Sequence, residues 1–385
     1  MITSLPFTAV RLTDNFWRPR LEINRTVTLP FVLKQCAATG RTDNFVKAAG
    51  RMASSHEASS HEGYYFNDSD VYKAIEGAAY TLHTHLDPAL ESTVDEYIAL
   101  IAAAQEEDGY LYTARTIDPE AVTAEREGVS RWSNLPANHE LYNVGHLYEA
   151  AVAHYRATGK RTLLDVALKN ADLIAGVFGE NGRHDVPGHE EIEIGLVKLY
   201  QVTGETKYWQ LAQFFLDERG RHDRRELSHV ASRGAYAQDH QPVIEQREAV
   251  GHAVRAAYLY TGMADVAALT GHQGYLAALQ AIWQDVVAHK LHLTGGIGAR
   301  HEGEAFGDAY ELPNETAYNE TCAAIGNIFW QYRLFLLTGD GRSLHFAPAH
   351  TWLGARPAGP QRPVLLCPTS GRSSEDSGQW RRDPG

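Results

Sequence analysis

The sequence predicts an all-α fold, a closed ring of helical hairpins. Apolar residues recur at helical spacing along most of the 385 residues, whereas alternation with a period of two is scarce. A Thr-Gly pair ends most of the apolar runs, and after most of these pairs one or two polar residues lead into the next run. Long segments without helical periodicity favour a closed toroid over an open solenoid, because functional loops then collect at one mouth.

The helical pattern is clearest in the segment HELYNVGHLYEAAVAHYRATG, which runs from His139 to Gly159. Its apolar side chains recur at intervals of three and four and form one face: Leu141, Val144, Leu147, Ala151 and Tyr155. The segments EEIEIGLVKLYQVTG, HAVRAAYLYTG, YLAALQAIWQDVVAHK and AAIGNIFWQYRLFLLTG show the same spacing. Each segment therefore predicts an amphipathic helix.

Five Thr-Gly pairs predict where helices end and hairpins turn. A glycine just past a helix readily adopts the left-handed conformation in which backbone N–H groups donate to the last carbonyl groups of the helix. The pairs are Thr39-Gly40, Thr158-Gly159, Thr203-Gly204, Thr270-Gly271 and Thr338-Gly339. Elsewhere, Asp68 and Asp70 precede a predicted helix, and helix capping is sufficient to account for both of them.

A change of composition after Gly339 predicts a domain boundary. Residues 1–340 carry the helical pattern and form one predicted domain. Residues 341–385 hold six of the fifteen prolines and show no sustained periodicity. This segment is therefore predicted to be irregular or disordered.

The charge and the cysteines exclude several classes of protein. A net charge of -13 disfavours non-specific binding to nucleic acid or to an anionic membrane. No apolar stretch is long enough for a transmembrane helix. Three scattered cysteines, Cys36, Cys322 and Cys367, do not form a disulfide framework. We therefore expect a cytoplasmic protein that binds neither nucleic acid nor membranes.

Glu320 and Cys322, in the segment AYNETCAAIG, are candidate metal ligands. Thr321 is a suitable N-cap for the helix that follows, so Glu320 would precede the helix and Cys322 would be its first residue. Two side chains two residues apart can face one ion in an extended segment but not inside a helix. The helix N-terminus would also favour the thiolate that zinc requires. The alternative is a solvated glutamate beside a buried thiol.

Glu304 and four histidines are candidates for catalysis and binding. Glu304 precedes Ala305 and Phe306, and burial against such an apolar surface would raise its pKa and suit it to general acid catalysis. Four histidines stand at or near the starts of apolar runs: His139, His146, His189 and His252. In a toroid the starts of the inner helices point to one mouth, so these histidines could form one polar pocket. Separately, each could be a structural residue.

Six segments together resemble the bacterial β-L-arabinofuranosidases of glycoside hydrolase family 127. They are VRLTDNFWRPRLEINR, FNDSDVYKAIEGAAYTL, NHELYNVGHLYEAAVAHYRATGKRTLLDVALKNAD, PGHEEIEIGLVKLYQVTGE, LTGGIGARHEGEAFGDAYELPN and AYNETCAAIGNIFW. The resemblance covers about residues 7 to 340. It implies an (α/α)6 barrel and a retaining hydrolase that removes terminal β-L-arabinofuranose.

The resemblance also implies roles for six residues. The glutamate of GEAF, Glu304, corresponds to the general acid/base. The glutamate and cysteine of ETCA, Glu320 and Cys322, correspond to zinc ligands. The remaining three, His139, His189 and His252, correspond to positions that contact the sugar, with His146 as the alternative to His139. The expected partners are an arabinofuranoside substrate and a second copy of the chain in a homodimer.

The sequence departs from the family pattern in its last part. The family nucleophile is one of two adjacent zinc-bound cysteines, and this sequence contains no adjacent pair. The C-terminal β-sandwich domains of the family are also missing, as after a truncation or frameshift. Two other functions therefore stay open: a sugar 2-epimerase that uses paired histidines, and a non-catalytic remnant that binds sugar.

Overall fold

The computed structural model describes residues 2–53, 60–119, 130–225 and 234–346. Helices dominate these ranges, and no β-strand occurs within them, only three isolated bridges. The helices are α1 Trp17–Ile23, α2 Leu29–Ala38, α3 Arg41–Ala53, α4 Asp68–Thr84, α5 Pro88–Ala103, α6 Thr113–Ile117, α7 Glu140–Thr158, α8 Thr162–Val177, α9 Ile192–Thr203, α10 Thr206–Glu218, α11 Ala253–Thr270, α12 Gln273–Asp285, α13 Thr321–Thr338 and α14 Arg342–Phe346.

Six consecutive helix pairs form two layers. The inner helices pack in sequence, α2 on α4, α4 on α7, α7 on α9, α9 on α11 and α11 on α13. The second helices of the pairs are α3, α5, α8, α10, α12 and α14, and each packs on its own partner. This arrangement confirms the predicted (α/α)6 barrel.

The Thr-Gly pairs close their hairpins as predicted. Gly159, Gly204, Gly271 and Gly339 are the C-caps of α7, α9, α11 and α13, with φ values of 75°, 76°, 67° and 75°. The threonine has its own function, which repeats in the same four hairpins. Its hydroxyl donates to the carbonyl four residues earlier, at 2.7–2.8 Å, and accepts the N–H two residues later, at 3.1–3.3 Å.

The starts of the inner helices gather at one mouth of the barrel. His139, Glu191, His252 and Glu320 are the N-caps of α7, α9, α11 and α13. The predicted start of α13 is wrong by one residue. Glu320, not Thr321, is its N-cap, so Cys322 is the second helical residue.

The segment between α12 and α13 is mostly loop, as its glycines and acidic residues predict. Ala305 bridges both Arg300 and His252, which fixes the Glu304 turn against the start of α11. The N–H of Tyr318 donates to the Ala299 carbonyl at 3.0 Å. The Glu304 turn is thus attached to the start of α11, and the contact of Tyr318 joins two parts of the loop to each other.

Two further sequence predictions concern the surface and the end of the chain. Across the described ranges, no helix combines the length and the apolar character that crossing a membrane demands. Residues 342–346 form α14, and residues 347–385 of the predicted irregular segment lie outside the described residues.

Candidate active site

Three of the histidines lie in a row at the mouth. The ring centroids of His139 and His189 are 5.5 Å apart, and those of His189 and His252 are 5.9 Å apart. Tyr142 packs against His189 at 4.4 Å. His146 lies on the other side of Tyr142, at 4.7 Å, and does not belong to this row. The structure therefore brings together the three histidines that the family resemblance selects.

The backbone determines which nitrogen of His252 carries the proton. Nδ1 of His252 accepts from the N–H groups of Val254, at 3.2 Å, and Arg255, at 3.4 Å. A neutral imidazole with an accepting Nδ1 carries its proton on Nε2. Nε2 lies 2.8 Å from Oε2 of Glu304. His252 therefore donates a hydrogen bond to the Glu304 carboxylate.

Glu304 is held from two sides. In addition to His252, the Tyr318 hydroxyl donates to its Oε1 at 3.1 Å. Its φ is 51°, a left-handed conformation that is unusual for a residue with a side chain and typical of functional sites. The side chain is 43% exposed, so it faces the open mouth.

The expected rise in the pKa of Glu304 is wrong. The hydrogen bond from His252 lowers the pKa of Glu304, and the one from Tyr318 acts in the same direction. Burial opposes them but does not prevail. Donors to the charged form of a carboxyl group favour ionisation, so Glu304 is a carboxylate at neutral pH.

Glu320 and Cys322 stand beside this pair on the first turn of α13. Possible ligand atoms of His252, Glu304 and Glu320 all lie within 4.8 Å of one another. The buried Lys73 acts on this region through its charge. Burial opposes the charge of Lys73, but Tyr142, Asp70 and, to a smaller extent, Cys322 raise the pKa of Lys73.

A second group of polar side chains lies deeper in the barrel. Nδ1 of His146 is 3.1 Å from Oε1 of Glu191 and 3.6 Å from Oε2 of Glu149. Burial, with Lys73, lowers the pKa of His146 to about 3, so the ring is neutral. Burial and the Glu149 charge raise the pKa of Glu191. Lys198 pairs with Glu149 and brings a positive charge to this group.

Two buried arginines hold the loops that carry the histidines. Arg219 donates to the carbonyls of Ala237 and Pro187, both at 2.9 Å, and so joins the segment before His252 to the segment before His189. Arg255 donates to the Gly188 carbonyl. The positions of His189 and His252 therefore depend on residues that do not face the mouth.

Sequence reasoning missed the residues that support the site. Tyr318, Glu149, Lys198 and Arg219 are absent from its candidates. Glu149 and Lys198 carried a usable signal, because each is a charged residue among the apolar positions of a predicted inner helix. Tyr318 and Arg219 carried none, since their partners are distant in sequence.

The chain is similar to known proteins of one family. The family model for the β-L-arabinofuranosidase GH127 catalytic domain matches residues 9–346. A non-reducing end β-L-arabinofuranosidase from Bifidobacterium longum subsp. longum is 41% identical over 290 residues, which are 71% of this chain and 44% of that protein.

Two solved structures agree. A GH127 β-arabinofuranosidase has a TM-score of 0.82 and 50% identity, over 89% of this chain and 52% of its own. The GH127 β-L-arabinofuranosidase from Geobacillus stearothermophilus T6 has a TM-score of 0.81 and 40% identity, over 88% and 54%. This chain therefore spans about half the length of these relatives.

Proposed function

Because the chain belongs to glycoside hydrolase family 127, we propose that it hydrolyses terminal β-L-arabinofuranosides. One observation carries the proposal. A carboxylate, Glu304, is held by two hydrogen-bond donors at the end of a row of three histidines. A glycosidase needs such a carboxyl group beside a pocket that recognises sugar hydroxyl groups.

His189 offers an acceptor to a sugar hydroxyl. Burial and Arg255 lower the pKa of His189 well below its ordinary value, so the ring is neutral. Its Nδ1–H donates to the Glu190 carbonyl at 2.8 Å, so Nε2 is an acceptor. Nε2 of His252 instead donates to Glu304 and so holds the carboxylate in place.

Glu304 serves as general acid and then as general base in this proposal. As a carboxylate it is ready to take a proton from water in the second half of the reaction. In the first half it must carry a proton to the leaving oxygen. A bound sugar that covers this half-exposed carboxyl group removes water from it, and such desolvation raises a carboxyl pKa.

The proposed reaction retains configuration, as the family resemblance implies. A retaining enzyme needs a general acid/base and a nucleophile that forms a covalent glycosyl-enzyme intermediate, and Glu304 takes the first of these roles. The covalent step has no nucleophile at the family's position, because the sequence contains no adjacent cysteines.

We propose zinc as the cofactor, held by Glu320 and Cys322. A carboxylate oxygen and a thiolate sulfur are usual zinc ligands, and the start of α13 favours both anions. The donors fit zinc in kind and supply two of the four ligands of a tetrahedral site. When bound, zinc supplies a Lewis acid and stabilises a thiolate.

Metal content after dialysis tests the cofactor. We expect zinc in the wild-type chain and its loss in Cys322→Ser and in Glu320→Gln. Cys36→Ala is the matched control, because burial raises the pKa of the Cys36 thiol to about 12 and keeps it protonated. A zinc-free wild-type chain, or zinc that both variants retain, would contradict the assignment.

Release of arabinose from an aryl β-L-arabinofuranoside tests the activity. We expect the Glu304→Gln variant to lose about 10²–10⁴-fold in kcat, the usual contribution of a general acid/base. His85→Ala, at the exposed turn after α4, is the control. Binding without turnover would indicate a sugar-binding remnant, and an isomerised free sugar would indicate an epimerase.

A cytoplasmic location and a homodimer complete the proposal. Scattered cysteines and the free thiol of Cys36 support a reducing compartment. Cell fractionation tests the location, and light scattering after gel filtration tests the dimer, for which a monomer mass would be the contrary result.

A further inference from the structure

His146 is a buried side chain that makes no hydrogen bond. It is 4% exposed, and neither of its ring nitrogens has a hydrogen-bond partner among the described residues. Glu191 beside it is 1% exposed, and neither of its carboxyl oxygens accepts a hydrogen bond within the same ranges. Buried polar groups nearly always have a partner, because burial without one is costly. These two side chains therefore require a partner that the described polypeptide does not supply.

The atoms of this cluster are spaced like the ligands of one metal ion. Nδ1 of His146 is 3.1 Å from Oε1 of Glu191 and 3.6 Å from Oε2 of Glu149, and the three side chains offer ligand atoms within 4.8 Å of one another. Two ligand atoms about 2.1 Å from an ion, at angles of about 90–110°, lie about 3.0–3.4 Å apart. The 3.1 Å contact lacks the geometry of a hydrogen bond, which is expected where two ligand atoms point at a shared ion instead of at each other.

The charges of the cluster leave one carboxyl group without a paired cation. Lys198 contacts Oε1 of Glu149, so Oε2 stays on the side of His146. In the part of the chain that the structure describes, Glu191 has no lysine or arginine within ion-pair distance, and Lys73 and Lys198 act on it only from farther away. A proton on Glu191 would compensate this charge but would leave His146 without a partner. A cation provides for both side chains.

The backbone is shaped to bring the carboxyl group beside the imidazole. Glu191 is the N-cap of α9, whereas His146 and Glu149 belong to α7. A Cβ on Gly145 would lie 2.7 Å from Cγ of Glu191 and 2.8 Å from the backbone nitrogen of Ile192, closer than such atoms approach. The Glu191 side chain therefore lies against α7 directly beside His146 because position 145 is a glycine.

We propose that His146, Glu149 and Glu191 form a metal site that binds Mn²⁺ and joins α7 to the start of α9. One imidazole nitrogen and two carboxylate oxygens, without sulfur, suit this ion. The site shares no residue with the proposed zinc site and does not rest on the proposed hydrolysis. Its function is structural, because α7 begins directly after His139 and α9 begins three residues after His189. The ion thus stabilises the two helices that follow these histidines of the mouth.

Electron paramagnetic resonance at dialysis equilibrium counts the bound Mn²⁺ ions. The chain is produced in medium that contains Mn²⁺, so the ion is present while the barrel folds. We expect one bound ion per wild-type chain and a higher melting temperature in its presence. Glu191→Gln keeps the size of the side chain and should weaken binding at least about 100-fold, because loss of even an outer-shell partner costs about 10–100-fold.

His154 provides a matched control on the same helix. It is fully buried, and across the described ranges its two ring nitrogens also make no hydrogen bond, but it belongs to no group of possible metal ligands there. His154→Ala should therefore keep the ion, whereas His146→Asn should lose it. Cys322→Ser should also keep it, since Cys322 lies outside the proposed site.

Three results would overturn the metal site. The first is a wild-type chain that binds no Mn²⁺, which would show that a proton on Glu191 is sufficient. The second is Mn²⁺ that both Glu191→Gln and His146→Asn retain, and the third is an equal loss in His154→Ala. Loss of the ion in Cys322→Ser but not in Glu191→Gln would assign it to the first turn of α13 instead. A chain that fails to hydrolyse arabinofuranosides changes none of these results.

Discussion

Replacement of Arg219 by methionine tests whether the buried arginine holds the active-site loops. Arg219 follows α10 and has no exposed surface. Its guanidinium donates to the carbonyls of Ala237 and Pro187 and lies 3.0 Å from Oε1 of Glu190. Glu193 is 3.8 Å away. Methionine fills similar space but supplies neither charge nor donors.

The structure sets the size of the effect. Removal of one partner from a buried ion pair costs about 3–5 kcal/mol, because the other charge stays buried without compensation. Burial raises the pKa of Glu190, so this carboxyl group can relieve part of the cost by taking up a proton. The two carbonyls lose hydrogen bonds from a charged donor, each worth about 1.5–3 kcal/mol. We expect a net loss of about 4 kcal/mol in the free energy of unfolding.

Urea unfolding followed by circular dichroism measures this loss. The double variant Arg219→Met/Glu190→Gln removes the uncompensated carboxylate and should recover about 1–2 kcal/mol, a coupling typical of residues in one network. Arg161→Met is the control, because Arg161 pairs with Asp165 at the surface, where such a pair is worth about 0–1 kcal/mol. A loss below about 1 kcal/mol for Arg219→Met would refute the reasoning.

Two further predictions concern buried groups outside the mouth. Burial raises the pKa of Asp68 from 3.8 to about 6, so its contribution to stability is complete below about pH 4 and is lost as the pH rises through 6. Between pH 4 and pH 7 the wild-type chain should therefore lose about 3 kcal/mol in its free energy of unfolding. Urea unfolding at the two pH values should show this loss in the wild-type chain and not in Asp68→Asn, and an equal loss in both would contradict the prediction. A Cβ on Gly188 would lie 2.2 Å from the Pro136 carbonyl oxygen, so Gly188→Ala should destabilise the fold by about 1–3 kcal/mol and weaken sugar binding through the adjacent His189. Gly176→Ala, with open space around it, is the control in thermal unfolding and calorimetry, and equal behaviour of the two variants would contradict the clash.

The fold could be predicted because its turns depend on local chemistry. The left-handed glycine and the threonine hydroxyl of each Thr-Gly pair act within one helical turn, so the sequence records them directly. Details that depend on distant residues could not be predicted. The prediction that Asp68 caps a helix is wrong, because α4 begins at Asp68 itself. The Asp68 carboxylate instead accepts hydrogen bonds from the N–H and the hydroxyl of Thr113, 45 residues away.

The sequence indicated several side chains that the structure brings together at the mouth, but not their electrostatics. The histidines at helix starts converge because the barrel places those starts at one mouth. The pKa of Glu304 follows instead from His252 and Tyr318, and neither partner is visible from the neighbouring Ala305 and Phe306. An apolar neighbour in sequence therefore predicted a rise where a hydrogen-bond donor from another element produced a fall.

The position of the helix starts also bears on the groups that the mouth presents. His139, Glu191, His252 and Glu320 all cap inner helices there, where unpaired backbone N–H groups need acceptors. At α11 the capping contact determines the orientation of the ring, because Nδ1 of His252 accepts from the N–H groups of Val254 and Arg255. Nε2 of His252 is then left to donate to Glu304. The (α/α)6 architecture therefore helps to set the donors and acceptors of this mouth, because it gathers the helix starts that its side chains must cap.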